Sequence, residues 1–420
     1  MHKLISIGLS PNVQYRDVKL ALQTIIQPWI WYQKIATNKL SEKLSDLLEI
    51  PKQNIFLTIS GRSAIFQALK VIGIKEGDEV IIQAFTCVAV VNPILWLNAK
   101  PVYVDIIKET LNMDICDLNN KITPKTKAII LQHTFGLPFT EIEQVKAMIK
   151  SRDISIIEDC AHSLGAKIEN QNVGTICDFG ILSFGRDKMV SSVFGGALIV
   201  NNPKYQNLIQ TNLVELPKAS RKWIIKQLLH PVLTYLIIKS YHLGIGKILQ
   251  KLLSKSGVLS KATSRQEKGC GVIPNWIEWQ YPDALARLAL LQLKTFNEDL
   301  NRRNMIAEKY SSNKIISSQS DNSSRVWLRY PILVDDPNRF FDEFKKLNIY
   351  LGDWYNQVVA PKEVNLIKAC YELGMTPNAK KITMQIINLP VYPKLTNLEI
   401  DVIIQVWNSL MLKNPINYGS

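Results

Sequence analysis

The 420-residue chain is 47% hydrophobic and 20% charged, which excludes a disordered or fibrous protein and suits one large and one smaller folded unit. Its net charge of +14 invites a nucleic-acid partner. The excess is local, however: between Lys204 and Lys268 twelve Lys/Arg stand against only Glu215 and Glu267, and no binding module or basic run interleaved with stacking aromatics is present. No nucleic acid is expected. The cysteines Cys87, Cys116, Cys160, Cys177, Cys270 and Cys370 lack CxxC or metal-ligand spacing. They read as reduced, mostly buried thiols of a cytoplasmic protein without a metal site. The opening MHKLISIGLSPN has no long apolar stretch or small-residue cleavage site, so no signal peptide is expected.

Taken in chain order, NIFLTI (54–59) predicts a strand and SAIFQALKVIG (63–73) a helix stopped by Gly73. DEVIIQ (78–83) predicts a strand, VAVVNPILWLN (88–98) a helix and KPVYVDI (100–106) a strand. TKAIILQ (126–132) and DISIIED (153–159) read as strands on either side of the helix EIEQVKAMIKSR (141–152), and GILSF (180–184) and GALIVN (196–201) close the series. Strands alternating with helices imply an α/β unit with a largely parallel sheet, whose functional loops lie beyond the carboxyl ends of the strands.

After about residue 205 the pattern changes. Residues 217–268 are basic and apolar, 283–310 read as one long amphipathic helix, and WLRYPILV (327–334) is followed by the helix DPNRFFDEFKKLN (336–348) and a last helix near 397–413. The expected division is a large α/β domain at 1–204, a basic helical insertion at 205–272 and a small α+β domain at 273–420. In the insertion, Lys218, Lys222 and Lys226, and again Lys247, Lys251 and Lys255, recur every four residues, which on helices makes basic stripes. The uncharged run LLHPVLTYLII (228–238) is shorter than the roughly 20 residues a membrane span needs. Peripheral contact with anionic lipid through 218–255 is one use of such a segment. A helical lid or subunit contact, and a seat for a nucleotide-sugar diphosphate, are the others.

Three positions at strand ends carry candidate chemistry: Asp159 ends ISIIED, Ser183 and Lys188 follow GILSF, and Ser60-Gly61-Arg62-Ser63 lies between a strand and a helix. Pyridoxal 5'-phosphate (PLP) needs an amine to form a Schiff base, a carboxylate to keep its ring nitrogen protonated, and donors for its phosphate. Lys188, Asp159 and the helix-opening turn could supply these. Singly, each has a blander reading: a solvated lysine, a turn aspartate, an N-cap.

The segments SGRSAIFQALKVIGIKEGDEVI, FTCVAVVNPILWLNAKPVYVDI, ITPKTKAIILQHTFGLP, IIEDCAHSLGA, SFGRDK and INLPVYPKLTNLEI, in this order, resemble the DegT/DnrJ/StrS sugar aminotransferases. The resemblance implies the PLP-dependent transferase fold type I. It also implies a homodimer, and transfer of an amino group from a donor such as glutamate to a keto-sugar nucleotide for glycan synthesis. Lys188 falls at the Schiff-base lysine, Asp159 at the partner of the ring nitrogen, and His162 where a Gln or His touches the ring. Ser183 and the loop of Gly61, Arg62 and Ser63 fall at the phosphate, and Cys87 where a side chain covers the ring face. Its blander reading is a buried helix-start thiol. Arg62 departs from the usual small hydroxyl residue and offers the phosphate a charged contact. Only Gly195 and Gly196 remain of a glycine-rich turn after the lysine. Glu278-Trp279-Gln280-Tyr281 matches poorly the segment by which a partner subunit reaches the phosphate. Rival readings are sugar dehydration, which the presence of Lys188 disfavours, transamination of a non-sugar ketone, and a membrane-associated scaffold without catalysis.

Overall fold

A computed structural model describes residues 4–214, 216–315, 317 and 324–413. Its centre is a seven-stranded sheet of β1 (Ile55–Thr58), β2 (Glu79–Gln83), β3 (Lys100–Val104), β4 (Thr126–Gln132), β5 (Ser155–Asp159), β6 (Phe179–Ser183) and β7 (Gly196–Val200). The spatial order is β1-β7-β6-β5-β4-β2-β3. All neighbours run parallel except β7, which is antiparallel to both β1 and β6.

These strands are apolar on both faces because helices cover both. Alternate residues serve the two sides: Val80, Ile82, Ala128 and Ile130 face a core built with Ala64, Ile65 and Leu69 of the helix Gly61–Ile72. Ile81, Ile129, Leu131 and Ile156 face another with Val145 and Ile149 of the helix Ile142–Ile149. Gly73 ends the first helix at φ 89°, the left-handed cap that the sequence predicts. Gly180 in β6 has a different use: a Cβ there would lie 2.1 Å from the Gly174 carbonyl oxygen.

A separate core forms around the antiparallel pair Tyr330–Leu333 and Ile386–Leu389. Ile306, Tyr310, Phe340, Phe344, Ile403 and Trp407 fill it, and Ile5 joins them because Ile5–Ser6 pairs with Ile349–Tyr350.

Two expectations are corrected. The stretch 283–310 is two helices, Asp283–Leu293 and Phe296–Ser312, because Thr295 leaves helical geometry and its hydroxyl accepts from Arg16 Nη2 at 2.7 Å. The first packs against Leu40 and Leu44 of the helix Ile35–Leu48, within the core of the large sheet's other flank. In the basic segment, Lys222 and Lys226 lie on the helix Arg221–Ser240 and Lys247, Lys251 and Lys255 on Ile245–Lys255, but Lys218 precedes the first helix. It bridges to Gln280 and sets its Nζ 5.5 Å from the Tyr32 ring centre, so the first stripe is shorter than predicted. Glu215 lies outside the described residues. The six cysteines are free thiols, with Cys116 and Cys370 exposed. No described helix is long and apolar enough to cross a membrane.

Candidate active site

A cavity opens at the carboxyl ends of β1, β5 and β6. Gly61, Arg62, Cys87, Asp159, His162, Ser183 and Lys188 line it, so seven of the eight sequence candidates converge. Ser63 does not. It is buried, its hydroxyl donates to the Ile277 carbonyl at 2.5 Å, and its N–H donates to the capping oxygen of Ser60.

Asp159 is the last residue of β5, held between Gln132 of β4 and Ile181 of β6. Its Oδ1 accepts from the Ala161 N–H at 3.0 Å, and no described side chain forms an ion pair with it. Burial pushes its pKa up, against the Ala161 N–H and the charges of Lys188 and His133. A buried carboxylate with no cation of its own is suited to a ligand that brings one.

His162, in the turn after β5, is held in a defined protonation state. Its Nδ1 accepts from the Phe135 N–H at 3.3 Å, which leaves the proton on Nε2, 3.4 Å from the Tyr355 hydroxyl. Burial pulls its pKa well below the usual value, helped by Lys188 and Arg329, so the ring is neutral. It stacks between Phe135, at 5.8 Å and 9°, and Trp354, at 5.8 Å and 22°.

The helix Gly61–Ile72 points its N-terminus at the cavity with Ser60 as cap. Close approach requires glycine: a Cβ on Gly61 would sit 3.0 Å from Ser183 Cβ, and one on Gly196 would sit 2.6 Å from the Gly61 nitrogen. The helix end and Ser183 together make a small, donor-rich recess that fits a phosphate. Arg62 is less free than expected. Its guanidinium pairs with the buried Glu267 and donates to the Ala262 carbonyl at 2.6 Å, tying a strap at 260–268 over the cavity. Arg62 thus lines the cavity while its guanidinium is engaged by Glu267 and Ala262. Cys87 lines the cavity, and its sulfur caps the helix Val88–Leu95 by accepting from the Ala89 N–H. Burial raises its pKa.

Lys188 sits in the loop after β6 with its Nζ 5.0 Å from the centre of the Trp354 ring. Sequence reasoning missed what fixes this loop. Asn12 Nδ2 donates to the Lys188 carbonyl at 2.6 Å and to that of Met189 at 3.2 Å, while its Oδ1 accepts from Arg303 Nη2 at 3.0 Å. Arg186, Trp354 and Tyr355 were also missed, and all three line the cavity. Arg186 is held by the carbonyl and hydroxyl of Ser260, with its Nε buried and unpartnered. The only sequence signal for these was polar or aromatic type in apolar surroundings, which core residues share.

The segment Glu278-Trp279-Gln280-Tyr281 is engaged within this chain: Glu278 pairs with Lys70 at 2.6 Å and the Tyr281 hydroxyl meets Ser192 Oγ at 2.7 Å. A Cβ on Gly195, at φ 144°, would strike the Tyr281 ring at 2.7 Å. One buried group of metal-ligand types, His133, Glu158 and Cys160, occurs among the described residues. Glu158 accepts three N–H donors, from Gly174, Ile176 and Cys177, and His133 Nδ1 accepts from Phe139 N–H. Those bonds occupy the lone pairs a metal would need, so the group is a satisfied core network.

The donor set fits PLP: a lysine amine, a buried carboxylate without a cation, a flat aromatic wall and a helix N-terminus share one cavity. A family model for the DegT/DnrJ/EryC1/StrS aminotransferase family matches residues 16–223 and 251–407. The chain is 33% identical over 192 residues to GDP-perosamine synthase of Escherichia coli O157:H7, spanning 46% of this chain and only about half, 52%, of that relative. Over 428 residues it is 27% identical to the uncharacterized protein MJ1066 of Methanocaldococcus jannaschii, covering 95% of each. In fold it is similar to the aminotransferase TlmJ from Streptoalloteichus hindustanus, with TM-score 0.75, 17% identity, and 98% and 99% of the two chains covered. The PLP form of Spr1654 from Streptococcus pneumoniae matches with TM-score 0.70 at 22% identity, over 98% of each chain.

Proposed function

The chain belongs to the DegT/DnrJ/EryC1/StrS aminotransferase family, and from that premise we propose that it uses PLP to move an amino group from a donor, with glutamate preferred, to a keto-sugar nucleotide. The observation that carries this reading is the convergence of Lys188, Asp159, His162 and Ser183 on one cavity at the carboxyl edge of the sheet. The similarity to GDP-perosamine synthase supports a sugar nucleotide as acceptor. PLP, when bound, supplies an electron sink that a protonated ring nitrogen strengthens.

The rest is the work of this chain's residues. Asp159 at the cavity floor would hold the ring nitrogen in its charged form, and the cation would in turn relieve the cost of burying the carboxylate. The Gly61 end of its helix and Ser183 Oγ would hold the phosphate. His162 and Trp354 form a flat wall, and the neutral state of His162 adds no second positive charge near the ring nitrogen. Lys188 Nζ would bind the cofactor and, once freed by the donor's amine, take and return the proton at the reacting carbon. The Arg62–Glu267 strap would limit water. We further propose a homodimer working on the cytoplasmic side, with product directed to glycan synthesis.

The test is product analysis after incubation with PLP, L-glutamate and keto-sugar nucleotides. An aminated sugar nucleotide is expected. Formation of a dehydrated sugar, or amination confined to non-sugar ketones, would reject the assignment.

A further inference from the structure

The basic segment takes no part in the cavity apart from its final strap, and its second helix shows an unusual face. In Ile245–Lys255, Leu249 and Leu253 turn inward onto Ile237, Ile238 and Tyr241. Gly246 lets the helices touch, since a Cβ there would lie 2.3 Å from the Ile237 carbonyl oxygen. One flank of the same helix is apolar as well. Ile245, Ile248 and Leu252, with Leu243 just before the helix, are each 58–65% exposed. Lys247, Lys251 and Lys255 are exposed beside them. Leu236 and Lys239 extend the exposed surface onto the preceding helix. No Asp or Glu occurs from 216 to 266.

We infer that this face docks on an anionic lipid surface, with Leu243, Ile245, Ile248 and Leu252 entering the headgroup boundary and the lysines meeting lipid phosphates. Charge complementarity decides between occupants. A two-fold contact with a second copy would set the same acid-free lysine face against itself, whereas an anionic bilayer offers the missing charge and an apolar layer together. None of Lys247, Lys251 and Lys255 lines the cavity, so a substrate diphosphate there does not account for them. A mere lid would leave four large apolar side chains in water. The inference is independent of the reaction assigned above.

The experiment is co-sedimentation with vesicles of equal parts phosphatidylglycerol and phosphatidylcholine, against phosphatidylcholine alone. Wild type is expected to pellet with the anionic vesicles only, and to be released by high salt. A lysine near such a surface is worth about fivefold in partition, so Lys247→Gln, Lys251→Gln and Lys255→Gln combined should weaken it by about a hundredfold. Ile248→Ser with Leu252→Ser should weaken it by about tenfold or more. These side chains are exposed, so unfolding temperatures should hold; if the triple variant misfolds, Lys251→Gln alone should still show about fivefold. Failure to pellet with anionic vesicles overturns the inference, as does equal pelleting of the variants. Variants that instead change the oligomer size in light scattering would overturn it in favour of a contact between copies.

Discussion

Replacing Asn12 by Ala should loosen the loop that presents Lys188. Asn12 is buried and stands between two structural units: its amide nitrogen holds the Lys188 and Met189 carbonyls, and its oxygen receives Arg303. Arg303 is wholly buried, with its pKa lowered to about 10 by that burial, and its other bonds go to the neutral carbonyls of Trp327 and Val391. Removing the Asn12 oxygen leaves part of a buried guanidinium unpaired, which costs about 1.5–3 kcal/mol, and each lost amide bond adds about 1 kcal/mol. The unfolding free energy should therefore fall by about 3.5–5 kcal/mol, with PLP affinity weakened about tenfold because the loop loses about 1.4 kcal/mol of restraint. Asn12→Asp separates the two effects. It keeps an acceptor for Arg303 but sets a carboxylate against two carbonyl oxygens, so stability should recover more than PLP affinity. Urea unfolding and titration with PLP measure both. An Asn12→Ala protein within about 0.5 kcal/mol of wild type, binding PLP equally well, would refute the reasoning.

Three further outcomes follow from the same geometry. Asp159→Asn should stabilise the cofactor-free protein in thermal unfolding, because a buried charge without a cation is removed, while turnover falls on the order of a hundredfold or more. Unchanged turnover would contradict its role. Gly180→Ala drives a methyl group into the Gly174 carbonyl and should cost about 1–3 kcal/mol in urea unfolding, whereas Gly77→Ala, with open space around it, bears only the strain of its φ of 86°. His162 and His230 are neutral when folded because burial pulls both pKa values well below the usual 6.5. The unfolded chain protonates them, so stability is complete above about pH 6.5 and falls beneath it by up to about 1.4 kcal/mol per pH unit for each ring. His230→Gln should flatten that slope, which unfolding midpoints across pH 5 to 7 would show.

The sheet was legible because its strands are buried on both faces. β-branched runs such as TKAIILQ and SIIED are bounded by turn residues, and TKAIILQ matches β4 end to end. The helix break near Thr295 was not, because no Gly or Pro marks it; the Arg16 bond that stabilises it comes from 279 positions away. The candidate site divided along the same line. Lys188, Asp159 and Ser183 stand at strand ends close together in sequence, where local pattern and family resemblance both reach them. Asn12, Arg303, Trp354 and Tyr355 come to the cavity or its supporting loop through tertiary packing alone. Arg62 and Ser63 show a third case: residue type suggested phosphate donors, but Glu267 and the Ile277 carbonyl claim their polar atoms first.

The most direct test of the central claim is the visible absorbance of the protein with added PLP, before and after L-glutamate, beside Lys188→Ala. Wild type should show the band of lysine-bound cofactor, and glutamate should convert it to the pyridoxamine form. Lys188→Ala should be unable to form the band with a lysine of its own. A wild-type protein with no such band, or a Lys188→Ala protein whose band equals that of wild type, would contradict the account.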